Sequence, residues 1–167
     1  MALWLFVGCG YHLSQMPSAG QAPVTVDLPT FENDTFEPGI ELTLAAALRR
    51  EFSRAGPLRG VDDAATADYT LRGRILSVTT GSRTLTPGVR AIEFTVTVRL
   101  EAVLLRNADG RRLRLDPLSQ LASEVYLASF DLEISRKNRE EALRRITALL
   151  ADRLYDDVDR LTSETGN

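Results

Sequence analysis

The chain has 167 residues, of which 44% are hydrophobic and 26% charged, with a net charge of −3 and a single cysteine. This length and composition are typical of one globular domain with a hydrophobic core of its own. The acidic balance argues against a nucleic-acid-binding protein, which would carry a basic excess. One cysteine excludes an internal disulfide framework, and no segment reaches the length of a membrane-spanning helix.

The only cysteine, Cys9, follows the apolar run and small residue of Leu5-Phe6-Val7-Gly8. Signal peptidases need a small residue before the cut, preceded by an apolar segment. The pattern predicts a bacterial lipoprotein processing site, with residues 1–8 as a shortened signal-peptide remnant and Cys9 as the lipidated first residue. Acyl chains would anchor the chain stably, since each buried methylene contributes about 0.8 kcal/mol. The alternative is a buried free cysteine in a cytosolic domain.

The first half of the chain predicts a tether, a strand and a helix. Residues 9–23 contain the anchor cysteine and a polar, proline-containing tether. The alternation in 24–28 predicts a strand, and the polar residues 31–39 predict a loop. An apolar stripe at helical spacing predicts a helix over 39–54, with residues 57–66 as a connector.

Two long alternating runs follow the connector. Tyr69 to Ile75 and Ile92 to Ala102 each place apolar side chains on one face and polar side chains on the other, which predicts two strands joined by the loop 80–90. A tight turn at Asn107–Gly110 leads to a further strand, which Pro117 interrupts.

The last predicted element is a long helix. Asn138-Arg139-Glu140-Glu141 fits a helix cap and an acidic first turn, and an apolar stripe continues to Leu161. The order β-α-β-β-β-α predicts an α+β two-layer sandwich, in which two helices pack on one face of a four-stranded mixed sheet. We expect one domain over 24–163, a frayed tail over 164–167, and a polar, uncovered opposite sheet face.

No catalytic, metal or cofactor site is predicted. His12 is the only histidine and lies in the tether, so catalytic triads and histidine-based metal sites are excluded. Asp62 and Asp63 are adjacent carboxylates, but their turn-rich context favours a solvated loop. A binding or scaffolding role is the leading hypothesis, and an enzyme built only on carboxylates is a distant one.

Two segments resemble a known family. Cys-Gly-Tyr-His-Leu (9–13) after the processing site, and Phe-Glu-Asn-Asp-Thr-Phe-Glu-Pro-Gly-Ile-Glu (31–41) before the first helix, are similar to the corresponding segments of the LPS-assembly lipoprotein family LptE. The resemblance extends more loosely to Tyr126 and to Glu141-Ala142.

This resemblance implies an outer-membrane lipoprotein on the periplasmic side that plugs the β-barrel LptD as a heterodimer and helps to transport lipopolysaccharide (LPS). It implies contact with the membrane through the lipid anchor only. No nucleic-acid partner is expected from the acidic balance, and no cofactor from the motifs. The alternative is a lipid-anchored periplasmic domain that binds another ligand without a barrel partner.

Two sets of residues are candidates for these contacts. Barrel lumens are polar, so part of the uncovered sheet face would contact the barrel wall, although plain solvation of this face is the alternative. The candidates there are Arg72, Arg74, Thr95, Thr97 and Arg99.

Guanidinium groups bind phosphates well, and strand order brings the loop 80–90 and the start of the last helix to one end of the domain. The LPS candidates there are Arg83, Arg90, Arg136, Lys137 and Arg139, unless these are only solubilising charges.

Overall fold

The computed structural model describes residues 22–54, 56–84 and 92–165, which contain seven strands and two α-helices. In chain order these are β1 (Val24–Asp27), β2 (Glu32–Asn33), α1 (Ile40–Glu51), β3 (Leu58–Val61), β4 (Tyr69–Thr84), β5 (Ile92–Arg106), β6 (Arg112–Arg114), β7 (Leu121–Ala128) and α2 (Leu132–Thr165). A single 3₁₀ turn, Pro117–Gln120, connects β6 to β7.

The long antiparallel pair β4–β5 forms the centre of one mixed sheet. Strands β1 and β2 both run parallel to β4 along its free edge, and β3 pairs in parallel with β1. Strands β6 and β7 both run antiparallel to β5 along the opposite edge. The sheet therefore has the lateral order β3-β1-β4-β5-β6. Strand β2 follows β1 along the same edge of β4, and β7 lies beside β6 along the same edge of β5.

One face of this sheet forms the core with the two helices. Cross-strand pairs such as Ile75 with Leu100 and Leu71 with Leu104 point to this face and are almost completely buried. They pack in one cluster with apolar side chains from both helices: Leu44, Leu48, Ile146, Leu150, Leu154 and Val158. The predicted α+β class, with both helices on one sheet face, is confirmed.

The number of strands is larger than the four predicted. The connector 57–66 contains β3, because α1 returns the chain to the start of β1, where Leu58 pairs with Val24 and is buried. The loop 31–39 contains the two-residue strand β2. Pro117 divides the last predicted strand into β6 and β7, since it begins a 3₁₀ turn rather than a bulge.

Helix α2 begins seven residues earlier than predicted. Asp131 caps it, because its Oδ1 accepts hydrogen bonds from the backbone N–H groups of Glu133, at 2.8 Å, and Ile134, at 3.3 Å. Asn138, predicted as the cap, instead donates to the Leu127 carbonyl at 2.8 Å. The apolar stripe did not predict the first turns of α2, because these turns extend past the core. Their apolar side chains, Leu132 and Ile134, are exposed.

Candidate interaction surfaces

The five candidate barrel contacts all lie on the outer sheet face, opposite the helices. The register pairs Arg74 with Glu101, Thr79 with Thr97 and Ser77 with Arg99, so their side chains share this face. Within the described residues, neither helix packs on it. Thr70 belongs to the polar side of the run Tyr69 to Ile75, which was predicted to be uncovered, but it is buried and donates to the Asn107 side-chain oxygen at 3.0 Å.

The cations of the outer face differ in their partners. Arg74 forms ion pairs with Glu32, at 2.8 Å, and Asp34, at 3.3 Å, and thereby fastens β2 and the following loop to β4. Among the described residues, neither Arg72 nor Arg99 forms an ion pair. Thr97 shares a hydrogen bond of 2.8 Å with Ser123 of β7.

The candidate LPS residues of α2 lie inside the helix rather than before it. Strand β7 ends at Ala128, opposite Ile92, so α2 starts at the sheet end where β4 finishes and β5 begins. This is the end predicted from strand order. Arg83 belongs to β4, whereas Arg90 lies outside the described residues.

These helical cations have carboxylate neighbours. Arg136 is bound to Glu133 at 2.7 Å and also contacts Glu140, and it holds the pKa of the Glu133 carboxyl below its usual range. Lys137 has the longest ion pair of the three helical cations, with its ammonium 3.7 Å from the Glu133 carboxylate. Both cations are more than half exposed, so water weakens these pairs and a phosphate could compete for them.

Arg139 has a structural partner of another kind. Its two terminal nitrogens donate to the two carboxylate oxygens of Glu37, at 2.8 and 2.6 Å. Both side chains are less than one-third exposed. Of the LPS candidates described, Arg139 is therefore the one held most firmly inside the fold.

The loop before α1 is organised by Asn33, whose role the sequence pattern did not reveal. Its side-chain oxygen accepts from the backbone and hydroxyl of Thr35, and its amide donates to the Glu37 carbonyl and the Glu41 carboxylate. The Asn-x-Thr spacing, which is typical of such side-chain turns, was the available indication. The loop buries Phe31 and leaves Phe36 fully exposed.

Over 22–54, 56–84 and 92–165, no three histidine, cysteine or acidic side chains are grouped so as to hold a metal ion. Neither described helix combines the length and hydrophobicity needed to cross a membrane. The predicted lipidation site, Cys9, lies outside the described residues.

Several solved structures of bacterial lipoproteins are similar to this chain. A rare lipoprotein B from Shewanella oneidensis is 12% identical, with a TM-score of 0.48, and the match covers 86% of this chain and 99% of that one. An uncharacterized lipoprotein B from Nitrosomonas europaea is 18% identical, with a TM-score of 0.47, and the match covers 93% and 94%.

The family is shown by the sequence itself. Residues 24–158 match the family model of the lipopolysaccharide-assembly protein LptE. This match spans most of the chain and all of its secondary structure up to the last turns of α2. The chain therefore belongs to the LptE family, a non-catalytic family of LPS assembly. No curated protein matches the chain.

Proposed function

We propose that this chain is a lipid-anchored outer-membrane protein that plugs an LptD-type β-barrel and assists the transport of LPS to the cell surface. The observation that carries the proposal is the outer sheet face of an LptE-family domain, most of whose side chains are polar and at least partly exposed while the opposite face forms the core. A plug needs such a face, because barrel lumens are lined by polar side chains.

The barrel contact has a direct test. A tagged chain, purified from outer membranes in mild detergent, should bring with it one large β-barrel protein in a one-to-one ratio. Recovery of the chain without a barrel would favour the alternative, a periplasmic domain that binds another ligand alone.

The lipid anchor is proposed at Cys9, on the periplasmic side of the outer membrane. Cys9→Ser should leave the chain in the soluble periplasmic fraction, because a protein without its acyl chains loses the anchoring free energy. A mature wild-type protein of unmodified mass that begins before Cys9 would contradict the assignment.

LPS would bind at the end of the domain where α2 begins. Lys137 and Arg136 are exposed there, and Arg83 lies in β4, which finishes at the same end. Arg90 lies outside the described residues and is included on the sequence prediction alone. Their cationic groups suit the phosphates of lipid A and the inner core. Arg83→Glu with Lys137→Glu should weaken LPS binding, whereas Arg111→Glu with Arg112→Glu, at the opposite end of the sheet, should leave it unchanged.

A non-catalytic role is part of this proposal. The family to which the chain belongs is one of assembly proteins. We therefore expect the chain to act through its surfaces, with neither a cofactor nor a reaction of its own.

A further inference from the structure

A group of arginines lies on the outer sheet face near the Asn107–Gly110 turn. The strand register places Arg72, Val103 and Arg114 in one row across three neighbouring strands. In the next row, Arg112 lies opposite Leu105. Arg72 and Arg112 line a shallow concavity of about 550 Å³, whose lining also includes Val103 and Leu105. We call Arg72, Arg112 and Arg114 the arginine patch.

The three arginines of the patch are exposed and form no ion pair with any described residue. Other arginines of the domain do: Arg74 is held by Glu32, Arg106 by Asp109 and Arg139 by Glu37. Among the described residues, the patch has a longer-range electrostatic effect on the buried Asp27. Arg72 lowers the pKa of this carboxyl, whereas burial raises it. The hydrogen-bond donors of the patch are thus available to a binding partner.

The surroundings of the patch indicate the chemistry of that partner. Glu32, Arg74 and Glu101 line the same concavity. Arg74 pairs with Glu32, so the Glu101 carboxylate is the one that would repel a ligand carrying several phosphates. A protein surface can instead match a mixed pattern of charges, because it supplies both signs at fixed positions. The half-buried Val103 and Leu105 offer apolar area between the charges, as in the centre of a protein interface.

We propose that the arginine patch docks on a carboxylate-bearing strip of the inner wall of the β-barrel partner. This inference rests on the proposed function, since it concerns the same outer face. Each planar guanidinium group would bind an aspartate or glutamate of the wall through two parallel hydrogen bonds, and arginine is enriched in interfaces for this reason. The contact would fix the orientation of the plug, with the Asn107–Gly110 end of the sheet held against the acidic strip.

Charge reversal tests the proposal in the intact complex. The full-length tagged chain carrying Arg72→Glu and Arg112→Glu is compared with the wild type for recovery of the barrel from detergent-solubilised outer membranes. Two like-charge contacts should reduce the affinity by about a hundredfold. The matched control is Arg50→Glu with Arg144→Glu, which changes the net charge equally on exposed residues of α1 and α2 and should retain the barrel.

Further measurements make the result specific. The milder variant Arg72→Gln with Arg112→Gln removes the cations without adding acids, and should weaken recovery in the same direction but less. Purified LPS is titrated against the reversed chain, whose binding should equal that of the wild type. Thermal unfolding confirms that the exposed substitutions leave the domain folded.

Each outcome bears on the proposal. Loss of the barrel with retained LPS binding supports it. Retention of the barrel by the reversed chain overturns it, and so does a selective loss of LPS binding, which would make the patch a phosphate site. If even the wild-type chain recovers no barrel, the proposed function fails first, and this inference fails with it.

Discussion

Glu37 and Arg139 join the loop before α1 to the second helix through two parallel hydrogen bonds of 2.8 and 2.6 Å. The two residues are 102 positions apart in the chain. Burial raises the strength of such a charge-assisted pair, and the contact raises the pKa of Arg139 above its usual range. The pair thereby fixes the start of α1 against α2.

A double-mutant cycle on this pair should give a coupling free energy of about 1–2 kcal/mol. The cycle uses Arg139→Ala, Glu37→Ala and the double variant, each followed by urea unfolding. Arg139→Lys should restore only part of the coupling, because an ammonium cannot bind both oxygens in parallel.

The exposed pair Arg136 and Glu140 is the matched control, since it lies on the same helix but is open to solvent. Its coupling should be markedly smaller. Equal couplings for the two pairs would show that the Glu37–Arg139 contact contributes no more than a surface ion pair. Reversal experiments on LPS binding are better made at Lys137, because loss of Arg139 would also loosen the fold.

Gly73 allows the ring of Phe31 to lie directly on β4. A Cβ at residue 73 would come within 2.4 Å of that ring and 2.6 Å of the Glu101 carbonyl oxygen. Gly73→Ala should therefore lower the free energy of unfolding by about 1–3 kcal/mol, the usual cost of an overpacked core.

Gly81 lies in the same strand and has nothing within 4 Å of its would-be Cβ. Gly81→Ala should change the stability by less than about 0.5 kcal/mol. The two variants can be compared by chemical unfolding under identical conditions. Similar losses would mean that the effect comes from the strand backbone rather than from the Phe31 contact.

The stability should depend on pH through Asp27. Burial raises the pKa of this carboxyl, and the nearby Asp63 raises it further. A carboxyl with a raised pKa in the folded state adds stability below its unfolded pKa of about 3.9, and this contribution is lost as the pH rises through the folded value. At neutral pH the ionised Asp27 is thus a cost.

Asp27→Asn should increase the free energy of unfolding more at about pH 7 than at about pH 3.5, because the raised pKa of the wild-type carboxyl favours its protonated form at the lower pH. Urea unfolding at the two pH values measures the difference. Glu101→Gln, which removes an exposed carboxyl from β5, is the control and should show a smaller change. A larger loss of stability at pH 7 than at pH 3.5 for Asp27→Asn would contradict the prediction.

The sequence predicted the fold best where periodicity was long. The alternation over 92–102 identified the faces of β5 correctly, and Val96, Val98 and Leu100 are buried as expected. The short strands β2 and β3 could not be predicted, since two to four residues carry no clear alternation and their pairing depends on where α1 returns the chain. The start of α2 was missed because the first turn after Asp131 is exposed, and its apolar residues Leu132 and Ile134 do not belong to the buried stripe.

The candidate surfaces were predicted as faces rather than as contacts. Strand alternation placed Arg72, Arg74 and Thr97 on one face, which the register of β4 and β5 reproduces. It could not distinguish paired from unpaired cations, because the partners come from distant segments: Glu32 for Arg74 and Glu37 for Arg139. The arginine patch likewise depends on the pairing of β5 with both β4 and β6.

The most direct test of the account is photo-crosslinking in intact cells from the outer sheet face. A photoreactive amino acid at Arg72 or Thr97 should capture one large outer-membrane β-barrel protein, identified by mass spectrometry of the adduct. The same probe at Ala45, which is buried in α1, controls for unspecific capture and should give no adduct. Capture of no partner from either outer-face position would mean that this face is merely solvated, and would contradict the proposal that the chain plugs a barrel through it.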